Sequence, residues 1–269
     1  MNASRYIVSG LCDAATNMAV DEALLNTYEE GSSKPILRIY GWRKAAFSFG
    51  YSQDPAALFH LDLCEQKGVP VVRRPTGGGI IFHNDDVTYS IIISQGDLQE
   101  NLNVKGALRK ITLFLTRAYQ DLGVRACFAI ESGKKVKQLH AIADFCFSRN
   151  EDYDILIKGK KIGGNAQKRK KRLILQHGSI PFSFEKEKIA PFLKNSLFLK
   201  DLNVACINEI TDKKISFTEL SDILKNAFGA HFSTALEKSG LSEKEQKLAE
   251  QLKRKKYAQA RWNLYREQN

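Results

Sequence analysis

No run of about 18 apolar residues, the length needed to cross a bilayer, occurs anywhere in the chain. The opening "MNASRYIVSGL" also lacks the charged n-region and long apolar h-region of a secretory signal. Both absences lead to the expectation of a cytoplasmic protein with no membrane partner. Cysteine is sparse: Cys12, Cys64, Cys127, Cys146 and Cys206 are odd in number, widely scattered and include no C-x-x-C pair. This argues against a disulfide framework and a structural zinc site, and leaves open one reactive thiol. Proline is scarce too, at six residues, and no Pro-rich linker, internal repeat or low-complexity segment divides the chain.

What is present is an ordinary globular composition. At 269 residues and 43% hydrophobic the chain can bury a full core. Its formal net charge of +11 calls for an acidic partner. The densest basic stretches, "QKRKKR" at 167–172 and "QLKRKKYAQARW" near the end, are not interleaved with aromatics as a single-strand nucleic-acid groove would be. No nucleic-acid partner is expected.

Apolar residues at helical spacing in "LCDAATNMAVDEALLNTYEEG" predict an amphipathic helix ending on Gly31. "PILRIYGW" and "AAFSFGYSQ" read as strands joined by a tight turn, and "VPVVRRP" and "VTYSIIIS" as strands flanking a glycine loop. "VKGALRKITLFLTRAYQDLG" is a second long helix closed by Gly123. "YDILIKGKKIGGNAQ" reads as a hairpin turning at Gly159 and breaking at Gly163-Gly164, and "RLILQHGSIPFSF" as a further strand. From about residue 216 the pattern is helical and charged. Segregated strands and helices favour an α+β fold, with a domain over 1–215 and a helical extension, 216–269, packed on it.

Three places carry chemistry. "RRPTGGGIIFHN" sets Arg73 and Arg74 before Gly77, Gly78 and Gly79. Arginine forks bind phosphate or carboxylate, and bare backbone can cradle an anion or an acyl carbonyl. It is neither a dinucleotide fingerprint nor a P-loop, and a bare triple glycine is as readily a structural turn. Lys161, on a hairpin strand before Gly163-Gly164 and Asn165, has space in front of its ammonium to hold a carbonyl oxygen or an oxyanion. Strand lysines more often point into solvent. Cys146 precedes that hairpin, and a nearby lysine would favour its thiolate; between two phenylalanines, a buried structural role is the commoner outcome. His83 and His177 are equally at home as loop or core histidines and as general bases.

Together, "RRPTGGGIIFH", "KKIGGNAQKRKKRLILQHGSI", "NMAVDEALL" and "GWRKAAFSFGYSQ" resemble the landmarks of the lipoate-protein ligase and octanoyltransferase superfamily, which includes biotin protein ligases. The resemblance spans roughly residues 11–265. It implies an α+β catalytic domain with a central mixed or antiparallel sheet flanked by helices. It further implies attachment of octanoyl or lipoyl groups to a lysine on lipoyl domains of 2-oxoacid dehydrogenase complexes or on the glycine-cleavage H protein. Such acceptors are typically acidic, which suits the basic surface.

"FCF" followed by "YDILIKGKKIGGNAQ" resembles the cysteine-dependent octanoyltransferases, and the end of the chain resembles the short transferases. Their chemistry implies Cys146 as nucleophile and Lys161 as its catalytic partner, with an acyl carrier protein as donor, no cofactor, no metal and a monomer. Arg74, Gly77, Gly78, Gly79, His83, Gly164, Asn165, Ala166 and His177 then bind substrate. One departure points elsewhere: Gly79 stands where those transferases carry a bulkier residue and is more ligase-like. Asn84 stands where an aspartate commonly follows the histidine, which argues against a metal or carboxylate role at that position. The alternative is an ATP-dependent lipoate ligase using ATP and Mg²⁺, with Cys146 incidental. A lipoyl amidotransferase using the same cysteine is a close variant, and a non-catalytic basic binding protein is the third reading.

Overall fold

The strand "DVTYSIIIS", Asp86–Ser94, is buried at every position, so both of its faces must be covered. The structure, a computed structural model describing residues 3–132, 152–200, 202 and 204–267, shows what covers them. In chain order the strands are β1 (Ser4–Cys12), β2 (Ile36–Trp42), β3 (Ala46–Phe49), β4 (Val71–Arg73), β5 (Ile81–His83) and β6 (Asp86–Ser94). They continue with β7 (Ala126–Phe128), β8 (Ile155–Ile157), β9 (Lys160–Lys161), β10 (Gly164–Lys170), β11 (Leu173–Pro181) and β12 (Leu236–Lys238). The main sheet runs β10-β11-β6-β2-β1-β12. It is mixed: β1 pairs in parallel with β2 and β12, and the remaining neighbours are antiparallel.

Period-two alternation sends Leu37, Ile39, Tyr89 and Ile91 to one face, where Phe114 and Phe228 of helices α2 (Val104–Asp121) and α3 (Phe217–Phe232) cover them. On the other face Ile36, Ile92 and Leu175 meet Val20 and Leu24 of α1 (Ala14–Thr27) and Ala249 of α4 (Glu243–Leu252). The expected α+β class, a mixed sheet between helices, is what the chain forms. A small sheet, β4-β3-β5, packs Phe47 and Phe49 into a separate aromatic cluster. A second, β7-β8-β9, carries the lysine hairpin, whose turn residues Lys158 and Gly159 both have positive φ, 51° and 79°.

Several sequence expectations need adjustment. Helix α1 is not amphipathic: Asn17, Asp21 and Glu22 are buried along with its apolar residues, because they pair with groups on both the sheet and the C-terminal segment. It also ends at Thr27, where Tyr28 turns extended, four residues before Gly31. The turn after β2 leads β3 into a different sheet, so the two strands are not partners. Strand β1 was not anticipated. The segment after 216 is not wholly helical, since β12 pairs with β1. Its last helix, α5 (Ala260–Tyr265), reaches back to β4.

Candidate active site

The strand register assembles the site. Arg38, Ser90, His177 and Ala166 stand side by side across β2, β6, β11 and β10, and Tyr40, Thr88, Ser179 and Gly164 form the next row on the same face. Between these rows the opposite face carries Tyr89, Gly178 and Asn165. A side chain at Gly178 would collide with both neighbours, and its absence lets the Tyr89 hydroxyl donate to Asn165 Oδ1.

Where the rows meet the glycine loop a narrow cleft opens, lined by Arg74, His83, Gly164, Asn165, Ala166 and His177. Trp42 and Ser48 also face it. Six predicted substrate-binding residues therefore converge on one cavity. Gly77, Gly78 and Gly79 are not in its lining; they sit behind Arg74, whose Nη2 donates to the carbonyls of Gly77 (3.1 Å) and Gly79 (2.7 Å). Gly78, at φ 89°, places its carbonyl oxygen against Gly50, where a Cβ would overlap it.

The two arginines, adjacent in sequence, part completely. Arg73 turns away from the cleft and donates to five carbonyls: Tyr51, Gln53, Trp262, Asn263 and Leu264. The last three are carbonyls of the final turn of α5, so Arg73 is a C-terminal cap rather than a ligand for an anion. Burial, with Arg266 nearby, lowers its pKa to about 10. Arg74 alone faces the cleft, and its Nη1 donates to Ser48 Oγ at 2.9 Å.

Both histidines sit between a carboxylate and a hydroxyl. His83 Nδ1 lies 2.9 Å from Asp86 Oδ2 and its Nε2 lies 2.7 Å from Ser48 Oγ, with its ring stacked 3.7 Å from that of Trp42. His177 Nδ1 lies 3.4 Å from Asp21 Oδ2 and its Nε2 lies 2.7 Å from Thr76 Oγ1. Burial holds both imidazoles below their ordinary pKa; the carboxylates pull upward and the Arg74 charge pushes down. Asp21 is the hub of the α1 side, taking donors from Arg38 (2.7 Å), Ser90 (2.7 Å) and Tyr40 (2.9 Å). Burial pushes its carboxyl up, but Arg38 and His177 more than offset this and hold it low.

Lys161 does not line this cleft. It is buried, and its Nζ pairs with Asp154 Oδ2 at 2.6 Å. Its ammonium therefore faces a carboxylate and not the open space expected from the glycines that follow it. Cys146 lies outside the described residues. Among the described residues no cluster of three or more His, Cys, Asp and Glu side chains could hold a metal.

Sequence reading missed Ser48, Thr76, Asp21, Asp86 and Asp154. Two carried a signal. Asp86 follows His83 by three residues, and Asp21 follows Asn17 by four, which puts two polar groups on one face of a helix otherwise rich in apolar residues. Nothing local marks the other three.

Residues 13–229 match the lipoyl protein ligase A/B catalytic domain, and the chain belongs to that family. It is an enzyme of protein lipoylation, an acyltransferase. The octanoyltransferase LipM of Brevibacillus brevis is 34% identical over 275 residues, covering 97% of this chain and 99% of that one. LipM of Bacillus subtilis is 33% identical over 272 residues, covering 97% and 98%. Among solved structures, a T. acidophilum protein described as a lipoate protein ligase, with lipoic acid bound, superposes with a TM-score of 0.81 at 25% identity, covering 98% and 99%. A bi-partite lipoate protein ligase from Thermoplasma acidophilum, described with its E2 lipoyl domain, has the same fold, with a TM-score of 0.82 at 22% identity, covering 100% and 99%.

Proposed function

We propose that the protein transfers an octanoyl group from the thioester of an acyl carrier protein to an acceptor lysine on a lipoyl domain or H protein, by way of a thioester on Cys146. The observation that carries this reading is the likeness to octanoyltransferases along nearly the whole chain, at 34% and 33% identity. In the first half-reaction the Cys146 thiolate attacks the donor carbonyl, a C–S bond forms and the carrier thiolate leaves. In the second, the lysine amine attacks the acyl-cysteine, a C–N bond forms, and the Cys146 sulfur departs. A thioester lies above an amide in free energy, so neither half needs ATP.

The engagement of the site's cations supports this. Arg73 caps α5, Arg74 holds the glycine loop and Ser48, and Lys161 is ion-paired with Asp154, which suits an acyl thioester better than the phosphate of an adenylate. In this reading Lys161 favours the thiolate and stabilises the oxyanion. Arg74, His83, His177 and the Gly164–Ala166 backbone form the acyl subsite. The protein works as a cytoplasmic monomer without a cofactor.

A second reading, the ATP- and Mg²⁺-dependent lipoate ligase with Cys146 incidental, is favoured by Gly79 and by the likeness to the lipoate-bound T. acidophilum protein. Intact-protein mass spectrometry after incubation with octanoyl-acyl carrier protein and no ATP separates the two. A hydroxylamine-sensitive octanoyl adduct is expected on the wild type and not on Cys146→Ala. Equal lipoylation of a lipoyl domain by both proteins with lipoate, ATP and Mg²⁺, and no adduct on either, would establish the ligase instead.

A further inference from the structure

We propose that Tyr51, Lys168 and Arg266 form a docking surface on the rim of the cleft for the acceptor protein, and recognise it through carboxylates flanking its target lysine. The inference deepens the transfer reading by locating the acceptor, and rests on the cleft being the acyl subsite.

The three residues come from distant parts of the chain and meet beside the glycine loop. Period-two alternation along β10 makes Lys168 the next position after Ala166 on the face that carries Gly164 and Ala166. Gly78 lies over that strand, since a Cβ built on it would stand 3.7 Å from the Ala166 Cβ. The Tyr51 N–H donates to the Thr76 carbonyl at 2.8 Å, which ties Tyr51 to the same loop. Lys168 Nζ and Arg266 Cζ each lie 6.0 Å from the centre of the Tyr51 ring. Gly77 and Gly78 are exposed.

This rim is ordered before any partner arrives. The Tyr51 carbonyl accepts from Arg73 at 2.6 Å, and its ring leans on that of the buried Trp262, with centroids 5.9 Å apart. Tyr51 nevertheless remains 38% exposed. Tyrosine and arginine, held in place with open area, are the residue types that carry protein interfaces.

The charge on the rim is unbalanced. Lys34, Lys188 and Lys247 each have a carboxylate within 3.0 Å, whereas Lys168 and Arg266 ion-pair with no carboxylate among the described residues. Both charges are felt beneath the surface: burial and then Arg266 lower the pKa of Arg73, and burial lowers that of Lys256, with Lys168 adding to it. Asp54, which opposes Arg266 at Arg73, caps the helical turn Pro55–Leu58 and accepts from the Ala56 N–H at 3.0 Å. Lysines on an edge strand commonly serve only to ward off strand pairing. That role asks nothing of Tyr51 and Arg266, which converge on Lys168 from beyond β3 and from the end of α5.

Reach selects the acceptor over the acyl donor. Two residues of strand span about 7 Å, close to the length of an extended lysine side chain. A lysine whose amine enters the cleft past Ala166 has its own backbone near Lys168, so its acidic neighbours meet Lys168 and Arg266. A carrier that delivers a thioester on a long prosthetic arm keeps its protein surface farther away.

The test reverses charge on both partners. Lys168→Glu, Arg266→Glu and the double variant are assayed in steady state with a lipoyl domain, and their loading from octanoyl-acyl carrier protein is followed by intact mass. In the double variant KM for the lipoyl domain should rise at least about 10-fold with kcat little changed. Its dependence on ionic strength should flatten, and loading should proceed at nearly the wild-type rate. Lysines in place of the carboxylates beside the target lysine should restore KM with the double variant and raise it with the wild type, a swap that damage to the fold cannot produce. Lys168→Gln and Arg266→Gln, which remove charge without reversing it, cover the case in which a glutamate variant melts. An unchanged KM in the folded variants, a swap without rescue, or a loss that falls on loading as much as on the acceptor overturns the proposal. Failure of the wild type to load without ATP sinks the octanoyl-transfer reading instead, and the same KM comparison with lipoate, ATP and Mg²⁺ then decides the docking surface.

Discussion

Gly50 carries no chemistry, yet the position of its Cα decides whether the Gly78 carbonyl can turn toward it. Gly50→Ala should displace the glycine loop and cost about 1–3 kcal/mol, measured as a fall in the denaturation midpoint, with acyl transfer lost more severely than stability. The histidines give a second prediction at this scale. His83 and His177 titrate below the ordinary 6.5 in the folded protein because burial disfavours their charge. Unfolded imidazoles take up protons as pH drops past 6.5, while the folded ones do not. Stability should therefore be full above 6.5 and decline as pH falls below it, and His83→Gln should flatten the decline. Asp21 follows the carboxylate sign: its contribution is present above 3.8 and is lost only lower, so it does not mask the histidine effect. A melting temperature that stays level through 6.5 would contradict the neutral-histidine description. Residue identity was legible for the cleft, since "RRPTGGG", "GGNAQ" and "HGS" all reach it or brace it. Partner identity was not: Arg73 and Arg74 look interchangeable in sequence, and only a helix some 190 positions away tells them apart.

Elements were read well where their signals are local. Helix α2 has an Asn103 cap, a regular apolar stripe and Gly123 just beyond its end, and it forms as the spacing predicts. Helix α1 was misread because burial on all sides erases the stripe, and β12 was missed because "LEK" becomes a strand only through its pairing with β1. The C-terminal helix α5 is the element whose removal should matter most beyond its size. Trp262 is fully buried, its Nε1 donates to the Arg73 carbonyl, and Asn263 Oδ1 accepts from the Arg73 N–H. Trp262→Ala should cost about 3–5 kcal/mol, and equilibrium denaturation should record it as a lower midpoint. Catalysis should weaken as well, because releasing Arg73 loosens the strand that leads into Arg74.

For the whole molecule, the net charge of +11 is the property that acts at a distance. Exposed cations such as Lys170, Lys171, Arg254 and Lys255 spread it beyond the cleft. If the acceptor and the acyl carrier are acidic, raising ionic strength from low to physiological should lower kcat/KM several-fold, mainly through KM, by screening the encounter. Steady-state rates that ignore salt would mean that the charge plays no part in docking.

The capping of α5 by Arg73 also sets an order of events during synthesis. Arg73 and Trp262 are 189 positions apart, so at ribosomal speed roughly 10–40 s separate the two residues' addition to the chain. Throughout that interval the guanidinium has none of its three α5 acceptors, and β1 has no β12 beside it. The brace on β4 behind the cleft is thus among the last parts of the molecule to be completed, although the acceptors of Arg74 itself, Ser48, Gly77 and Gly79, are present long before.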